Sequence, residues 1–220
     1  MKSLVTIVLL AGVALLAYFG PGLLGSLGEE PDAVAQAGGG LSLAAKAESP
    51  QAFGSVPEFA LVSQTGAAVR DEDLLGSPYV VAAVFTTCIG PCPRIAREMG
   101  RLQEALEDTD VRLVSISVDP GYDTPEILAE YAEALGAAEE RWLFLTGEED
   151  AVHALVREGF KLGVARADAD VPFGMQVTHG TKLVAVDRSG RIRGWYESQS
   201  ERGVDALLER MRFLAEEDHG

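Results

Sequence analysis

The feature that most constrains the fold of this chain is an unbroken apolar segment with two cysteines shortly after it. Residues Tyr79–Phe85 (YVVAAVF) show no alternation of polar and apolar side chains, which is typical of a strand covered on both faces. In Arg94–Leu106 the apolar residues recur at helical spacing instead. Cys88 and Cys92 therefore lie between a buried strand and a helix.

Strand and helix patterns alternate through the rest of the chain. The further predicted strands are Glu58–Val62, Val111–Val118, Trp142–Leu145, Lys182–Asp187 and Arg191–Trp195, and the further predicted helices are Asp123–Leu135, Thr146–Glu158 and Val204–Leu214. The last two strands flank the turn residues Arg188–Gly190, which indicates a hairpin. Alternating strands and helices that end in a hairpin predict an α/β fold, with a mixed sheet flanked by helices. With a cysteine pair at the first long strand-to-helix junction, this order is that of a thioredoxin-like domain.

Composition excludes several classes of protein. Apolar residues make up 47% of the chain and charged residues 24%, which is typical of a chain with a hydrophobic core and excludes wholesale disorder. The net charge of -16 would repel a phosphate backbone, so no nucleic acid is expected as a partner. Two cysteines are too few for a disulfide scaffold or a four-cysteine zinc site. They leave one disulfide, one redox pair or part of a metal site.

The first residues of the chain have the pattern of a membrane segment. Leu4–Phe19 carries no charge, and Gly20–Leu27 lengthens the apolar stretch towards the ~20 residues that cross a bilayer. We interpret residues 1–27 as an N-terminal transmembrane helix or a secretory signal. The membrane anchor is favoured, because the small-residue cleavage patterns lie well beyond the apolar core. Lys2 keeps the N-terminus in the cytoplasm, which predicts a single-pass cell-membrane protein with its head on the exported (periplasmic or intermembrane-space) side.

The remaining residues divide into three regions. Residues 28–56 are rich in Gly, Ala, Ser and Pro and show no apolar period, which predicts a flexible linker. Residues 57–216 form the predicted thioredoxin-like domain, which is long enough for one well-buried core. Residues 217–220 form a tail. Such a linker lets the domain meet another membrane protein while it stays near the membrane surface.

The spacing of the two cysteines indicates thiolate chemistry. Cys88 and Cys92 are about one helical turn apart, so both sulfurs can face one point. The N-terminus of a helix favours thiolate over thiol. A purely structural disulfide is the weaker interpretation, because a stapling disulfide usually closes a longer loop. Two thiolates and one imidazole would make a three-coordinate site suited to Cu(I).

One of the three histidines is well placed to complete such a site. His219 lies in the acidic tail, and His153 lies in a predicted helix, where a surface or edge position is the simplest interpretation. His179 directly precedes the predicted strand Lys182–Asp187, so it can project at the same sheet edge as the cysteines. Alone it would be an ordinary loop histidine. Together with the cysteine pair and an exported domain, it is a candidate metal ligand.

Four other side chains near the predicted site have simpler roles. Asp123 is interpreted as the cap of the helix that follows it, with a role near the metal as the alternative. Asp119 ends its strand close to the presumed site, where support of a metal ligand is the weaker interpretation. Met99 lies on the apolar face of its helix and is expected in the core. Met175 lies in a loop near His179, where packing within the loop is preferred to a role as a thioether ligand.

Three segments, in their order and spacing, resemble the SCO/SenC family of copper-binding, thioredoxin-like proteins. They are residues 79–93 (YVVAAVFTTCIGPCP), 111–136 (VRLVSISVDPGYDTPEILAEYAEALG) and 177–196 (VTHGTKLVAVDRSGRIRGWY). The resemblance implies copper held as Cu(I) by Cys88, Cys92 and His179, with Cu(II) binding left open. It also implies a copper chaperone whose partner is the copper-site subunit of cytochrome c oxidase or another copper acceptor. Ile89 departs from the family pattern, which has proline after the first cysteine.

The sequence leaves two alternatives to the copper chaperone. Some members of the family act as thiol-disulfide reductants on the cysteines of a copper site, and the Gly-Pro-Cys ending of the cysteine segment resembles reductant thioredoxins. In that role the more exposed Cys88 would attack a partner disulfide and Cys92 would resolve the mixed intermediate. A peroxidase of the peroxiredoxin type is a weaker third hypothesis. As a copper chaperone, the chain is not expected to be an enzyme.

Overall fold

The computed structural model describes residues 51–167, 171 and 173–217. The predicted membrane segment, most of the predicted linker and the last three residues of the tail lie outside the described residues. Within the described part of the chain, no helix combines the length and the apolar character needed to cross a bilayer.

The described residues form a seven-stranded mixed sheet, a two-stranded ribbon and four α-helices. The sheet consists of β1 (Ala60–Ser63), β2 (Ala68–Arg70), β3 (Tyr79–Val84), β4 (Arg112–Ser117), β5 (Trp142–Thr146), β8 (Lys182–Val186) and β9 (Ile192–Glu197). The ribbon consists of β6 (Val164–Arg166) and β7 (Val177–His179). The helices are α1 (Cys92–Ala105), α2 (Pro125–Ala134), α3 (Glu149–Ala154), which continues into a π-helical turn, and α4 (Glu201–Glu216).

The strand order of the sheet is β2-β1-β5-β4-β3-β8-β9. Strands β3, β4 and β5 are parallel, whereas β1, β8 and β9 pair antiparallel to their neighbours. The predicted mixed sheet and the hairpin of β8 and β9 are therefore confirmed. Strand β3 pairs with β4 on one side and β8 on the other, and all six of its residues are buried. This central position explains why its sequence lacks polar alternation.

Helix α1 packs on β3 and on α4, and α2 packs on β5. The apolar residues that recur along α1 are the ones that it buries, and Ile95, Met99 and Leu102 are each at most 1% exposed. The core placement predicted for Met99 is confirmed. Since α1 begins at the C-terminal end of the central strand, its first residues lie at the edge of the sheet where β3 ends. This is the position of the cysteine segment.

Two helix starts differ from the sequence prediction. Thr124, not Asp123, caps α2, and its side-chain oxygen accepts a hydrogen bond from the backbone N–H three residues on. The predicted helix begins at Thr146, whereas α3 begins at Glu149 and is capped by Glu148. Thr146 is the last residue of β5, where it pairs with Val62 of β1, and that pairing keeps it in the sheet. At both helices the observed cap lies within two residues of the predicted start. Burial of the side chain excludes Asp123 as a cap, and pairing in the sheet excludes Thr146.

The cap of α2 gives a first testable prediction. Replacing Thr124 with alanine leaves an N–H of the first helical turn without its side-chain acceptor, and we expect the free energy of unfolding to fall by about 1 kcal/mol. Urea unfolding followed by far-UV circular dichroism measures the change. Thr124→Ser keeps the acceptor oxygen and should retain the wild-type value. Equal loss in both variants would show that the cap is not the source of the stability.

Candidate metal centre

The two cysteines differ in burial and in structural setting. Cys92 is the first residue of α1 and is 1% exposed, whereas Cys88 lies in the preceding loop and is half-buried. The loop is turned back towards the end of β3 by a hydrogen bond from the Cys88 N–H to the Phe85 carbonyl. Both cysteines are free thiols. The greater exposure predicted for Cys88 is confirmed.

A short ribbon brings His179 to the cysteines. Its strand β7 pairs antiparallel with β6, with Val164 directly opposite His179. The next N–H, that of Gly180, donates to the carbonyl of Gly163 at 2.7 Å. His179 is thus the last residue of a strand, rather than a loop residue as the sequence pattern suggests. The pairing carries its imidazole to the start of α1, 87 positions away from Cys92 in sequence.

The imidazole of His179 is oriented by three contacts. Its Nδ1 donates to the carbonyl of Gly180 at 3.0 Å, which leaves the lone pair of the ring on Nε2. Nε2 lies 3.1 Å from Sγ of Cys92. The Phe85 ring packs edge-on against the imidazole, with the ring centroids 5.7 Å apart. This is the tautomer and the orientation that a metal ligand needs.

Ligand atoms of Cys88, Cys92 and His179 all lie within 4.8 Å of one another. In the part of the chain that the structure describes, no other group of three histidine, cysteine or acidic residues converges in this way. A site of two sulfurs and one imidazole nitrogen is a soft donor set. It fits Cu(I) and disfavours the hard cations that prefer oxygen ligands.

Burial controls the charge of the deeper ligands. It raises the pKa of the Cys92 thiol, and the neighbouring Cys88 side chain raises it further, whereas a backbone hydrogen bond from Phe85 acts in the opposite direction. Burial also lowers the pKa of His179, against the effect of its hydrogen bond to Gly180. For Cys92, burial thus acts against the preference for thiolate that a helix N-terminus provides.

A cavity of about 190 Å³ opens from the site to the surface. Its walls include Phe85, Cys88 and His179, together with the apolar side chains of Ile89 and Met175. Ile89 is 68% exposed and Met175 51%, so the mouth of the cavity is lined by solvent-exposed apolar groups. Met175 is not packed away within its loop, as the sequence pattern favoured. It lies at the opening of the cavity that holds the cysteine and the histidine.

Asp123 supports the loop that carries the cysteines instead of capping a helix. It is fully buried and accepts hydrogen bonds from the N–H and hydroxyl of Thr86 and from the hydroxyl of Ser117. These contacts tie the end of β3 to the end of β4. Burial raises the pKa of Asp123, although the bonds from Ser117 and Thr86 oppose the rise. A signal was present in the sequence, since a hydroxyl residue lies at the end of β4 and another two residues beyond the end of β3, and adjacent parallel strands end at one edge of the sheet.

The other candidate residues lie away from the three ligands. His153 is half-buried on α3, and its Nε2 donates to the carbonyl of Val118 at 2.8 Å, as expected for an edge histidine. Asp119 forms an ion pair with Arg166 at 3.2 Å. His219 lies outside the described residues. The structure thus brings together the same three residues that the sequence selected.

Comparison with known proteins agrees with this geometry. The family model described as SCO1/SenC matches residues 45–215. The SCO1 protein homolog of Bacillus subtilis is 29% identical over 156 residues, which cover 70% of this chain and 79% of that protein. A SCO1/SenC family lipoprotein of Bacillus anthracis is 28% identical, with a TM-score of 0.68 over 74% of this chain and 96% of the other. ScoI of Bradyrhizobium japonicum, solved with copper bound, is 25% identical, with a TM-score of 0.59 over 71% of this chain and 99% of the other. The thioredoxin-like fold, the matched residues and the convergent site place the chain in the SCO1/SenC family.

Proposed function

We propose that the chain is a membrane-tethered copper chaperone that holds Cu(I) through Cys88, Cys92 and His179. The observation that carries the proposal is the convergence of these three ligand atoms within 4.8 Å. Membership of the SCO1/SenC family supports it, as does the bound copper of the related ScoI of Bradyrhizobium japonicum. The acceptor is the copper-site subunit of cytochrome c oxidase or another copper protein.

The N-terminal sequence supports the tether. Residues 1–27 are apolar enough to anchor the chain, and residues 28–56 have the composition of a flexible linker. A head on the exported side of the membrane would reach copper proteins of the same membrane without leaving its surface. Protease accessibility of the head in spheroplasts, with and without detergent, tests this orientation.

Loading and release follow from the unequal burial of the ligands. Metal binding displaces the thiol protons, since thiolates are the ligands. The imidazole of His179 binds without losing a proton, because its proton is on Nδ1 and the Nε2 lone pair is released when the Cys92 thiol loses its proton. An acceptor protein reaches Cys88 first, because Cys88 lies in the loop that lines the cavity. The sulfurs and imidazoles of the acceptor then replace the ligands of the chaperone one at a time, and copper remains Cu(I) throughout.

The test is the copper stoichiometry and affinity of the reduced full chain in detergent. We expect one Cu(I) per wild-type chain in competition with bicinchoninate. Replacing His179 with alanine should weaken binding by about 100-fold, because it removes one ligand of a three-coordinate site. His153→Ala is the matched control, since this histidine lies outside the group. A His179→Ala chain that holds copper as tightly as wild type would contradict the proposed site.

A thiol-disulfide oxidoreductase is the alternative that one observation favours. The two cysteines are free, and the exposed Cys88 and buried Cys92 have the unequal accessibility of an attacking and a resolving thiol. In this reaction the partner disulfide gains two electrons while Cys88 and Cys92 form a disulfide. A wild-type chain that binds no Cu(I) but reduces a protein disulfide stoichiometrically would favour this function over the chaperone.

A further inference from the structure

We propose that Met175 is a further copper ligand, whose thioether binds Cu(I) at the cavity mouth while the ion passes between the three-ligand site and a partner. This inference rests on the copper-binding function proposed above. Met175 lines the same cavity as Cys88 and His179. A thioether is a soft donor and therefore belongs to the class of ligands that bind Cu(I).

The four soft side chains differ steadily in exposure. Cys92 is 1% exposed and His179 9%, Cys88 is half-buried, and Met175 is 51% exposed. A copper ion that leaves through this cavity passes the exposed wall to which Met175 belongs. The other exposed side chains of the cavity are Ile89, a hydrocarbon, and Thr178, whose hydroxyl is a hard donor that suits Cu(I) poorly. The thioether of Met175 is therefore the soft donor among the exposed side chains of the cavity.

The position of Met175 is set by a close backbone contact. The preceding Gly174 has a φ of +87°, and a Cβ there would lie 2.4 Å from the carbonyl oxygen of Thr87 and 3.0 Å from Ile89. Its N–H donates to the side chain of Gln176 at 2.7 Å. The turn that carries Met175 therefore lies directly against the loop that carries Cys88. A glycine is required for this approach, because a side chain would push the two loops apart.

The chemistry of a thioether suits transfer rather than retention. A neutral sulfur binds Cu(I) more weakly than a thiolate and has no proton to lose or gain. In the outward step, a bond between copper and the Met175 sulfur forms as the bond to the His179 nitrogen breaks. Copper stays Cu(I), and no electron is transferred. An acceptor sulfur then replaces the thioether, and the two thiolates are reprotonated after the ion leaves.

The rate of copper release tests this role in the full chain. Copper-loaded protein in detergent is mixed with excess bicinchoninate in a stopped-flow instrument, after the stoichiometry of each variant has been measured. We expect Met175→Leu to release Cu(I) about tenfold more slowly than wild type, since it removes the donor at the mouth. Met211→Leu is the matched control, because Met211 is fully buried in α4. This control should release copper at the wild-type rate.

Selenium labelling tests the bond itself. In a selenomethionine-labelled His179→Ala chain, the vacated position should be taken by residue 175, so X-ray absorption at the copper edge should show a selenium neighbour. The labelled double variant His179→Ala/Met175→Leu should lack it. Met99 and Met211 are 0% exposed, so they do not contribute a selenium neighbour to copper.

Each outcome decides the inference. Slow release in Met175→Leu together with the copper–selenium signal supports it. An unchanged release rate, or the absence of the selenium neighbour, overturns it while leaving the copper-binding function intact. A wild-type chain that binds no Cu(I) overturns the proposed function and this inference together.

Discussion

Replacing Cys92 with serine should weaken Cu(I) binding by about 1,000-fold, equivalent to about 4 kcal/mol. The serine hydroxyl is a harder donor that stays protonated, so the chain loses one of its two thiolate ligands. The Cys92 sulfur also lies 3.1 Å from Nε2 of His179. Competition with bicinchoninate measures the loss of affinity.

The same variant separates loss of the site from loss of the fold. A serine oxygen can still hydrogen-bond with Nε2 of His179, so we expect the unloaded variant to unfold in urea close to wild type. A variant that binds copper within about tenfold of wild type would show that Cys92 is not a ligand. Cys88→Ser provides the comparison at the more exposed cysteine, and it should lose copper as well.

Replacing Asp187 with asparagine should lower the free energy of unfolding by about 3 kcal/mol. Asp187 follows β8 and is 4% exposed. It accepts hydrogen bonds from the backbone N–H groups of Ser189 and Arg191 and from the guanidinium of Arg193, which is itself buried. An amide removes one of the negative charges that this buried guanidinium faces, and leaves Glu217 at 3.3 Å as another. Urea unfolding at pH 7 measures the effect.

The pH dependence of the same variant gives the sign of the electrostatic contribution. Burial alone would raise the pKa of Asp187, but hydrogen bonds from Arg191 and Arg193 hold it below its ordinary value. The stabilisation is therefore fully present above the ordinary aspartate pKa of about 3.9. It is lost as the pH falls through the lower pKa of the folded state.

The gap in unfolding free energy between wild type and Asp187→Asn should therefore shrink with acidification. Asp205→Asn, which breaks an exposed ion pair with Arg101, is the control and should show no measurable change at pH 7. A gap between wild type and Asp187→Asn that stays constant from pH 7 to strongly acidic solution would contradict the assignment.

Patterns of burial made the fold predictable. Patterns within consecutive residues predict three of the elements: the apolar strand β3, the helix α1 with its helical period, and the hairpin of β8 and β9. Hydrophobic periodicity reports which faces of an element are covered, so these elements were predicted to within a few residues. The three-residue strands β2, β6 and β7 have no such period, because they are too short to show one. Their pairing depends on neighbours that are distant in sequence.

The candidate ligands were predictable because their chemistry belongs to residue type. Two cysteines at a strand-to-helix junction and a histidine before a strand are local patterns, and soft donors select soft metals whatever the fold. The role of Asp123 was not predictable in this way. A carboxylate before a helix is ordinarily a cap, and only the meeting of Thr86 and Ser117 at one sheet edge makes Asp123 a buried acceptor.

By itself, the sequence determined the layered α/β fold and the donor types of the site, because both follow from side-chain chemistry and local periodicity. The tertiary structure decided three things that depend on distance and burial. The ribbon placed His179 3.1 Å from Cys92, burial raised the pKa of the Cys92 thiol, and the approach of Gly174 to Thr87 placed Met175 at the cavity mouth. Distances between residues far apart in the chain, and the loss of water around them, exist only once the chain has folded.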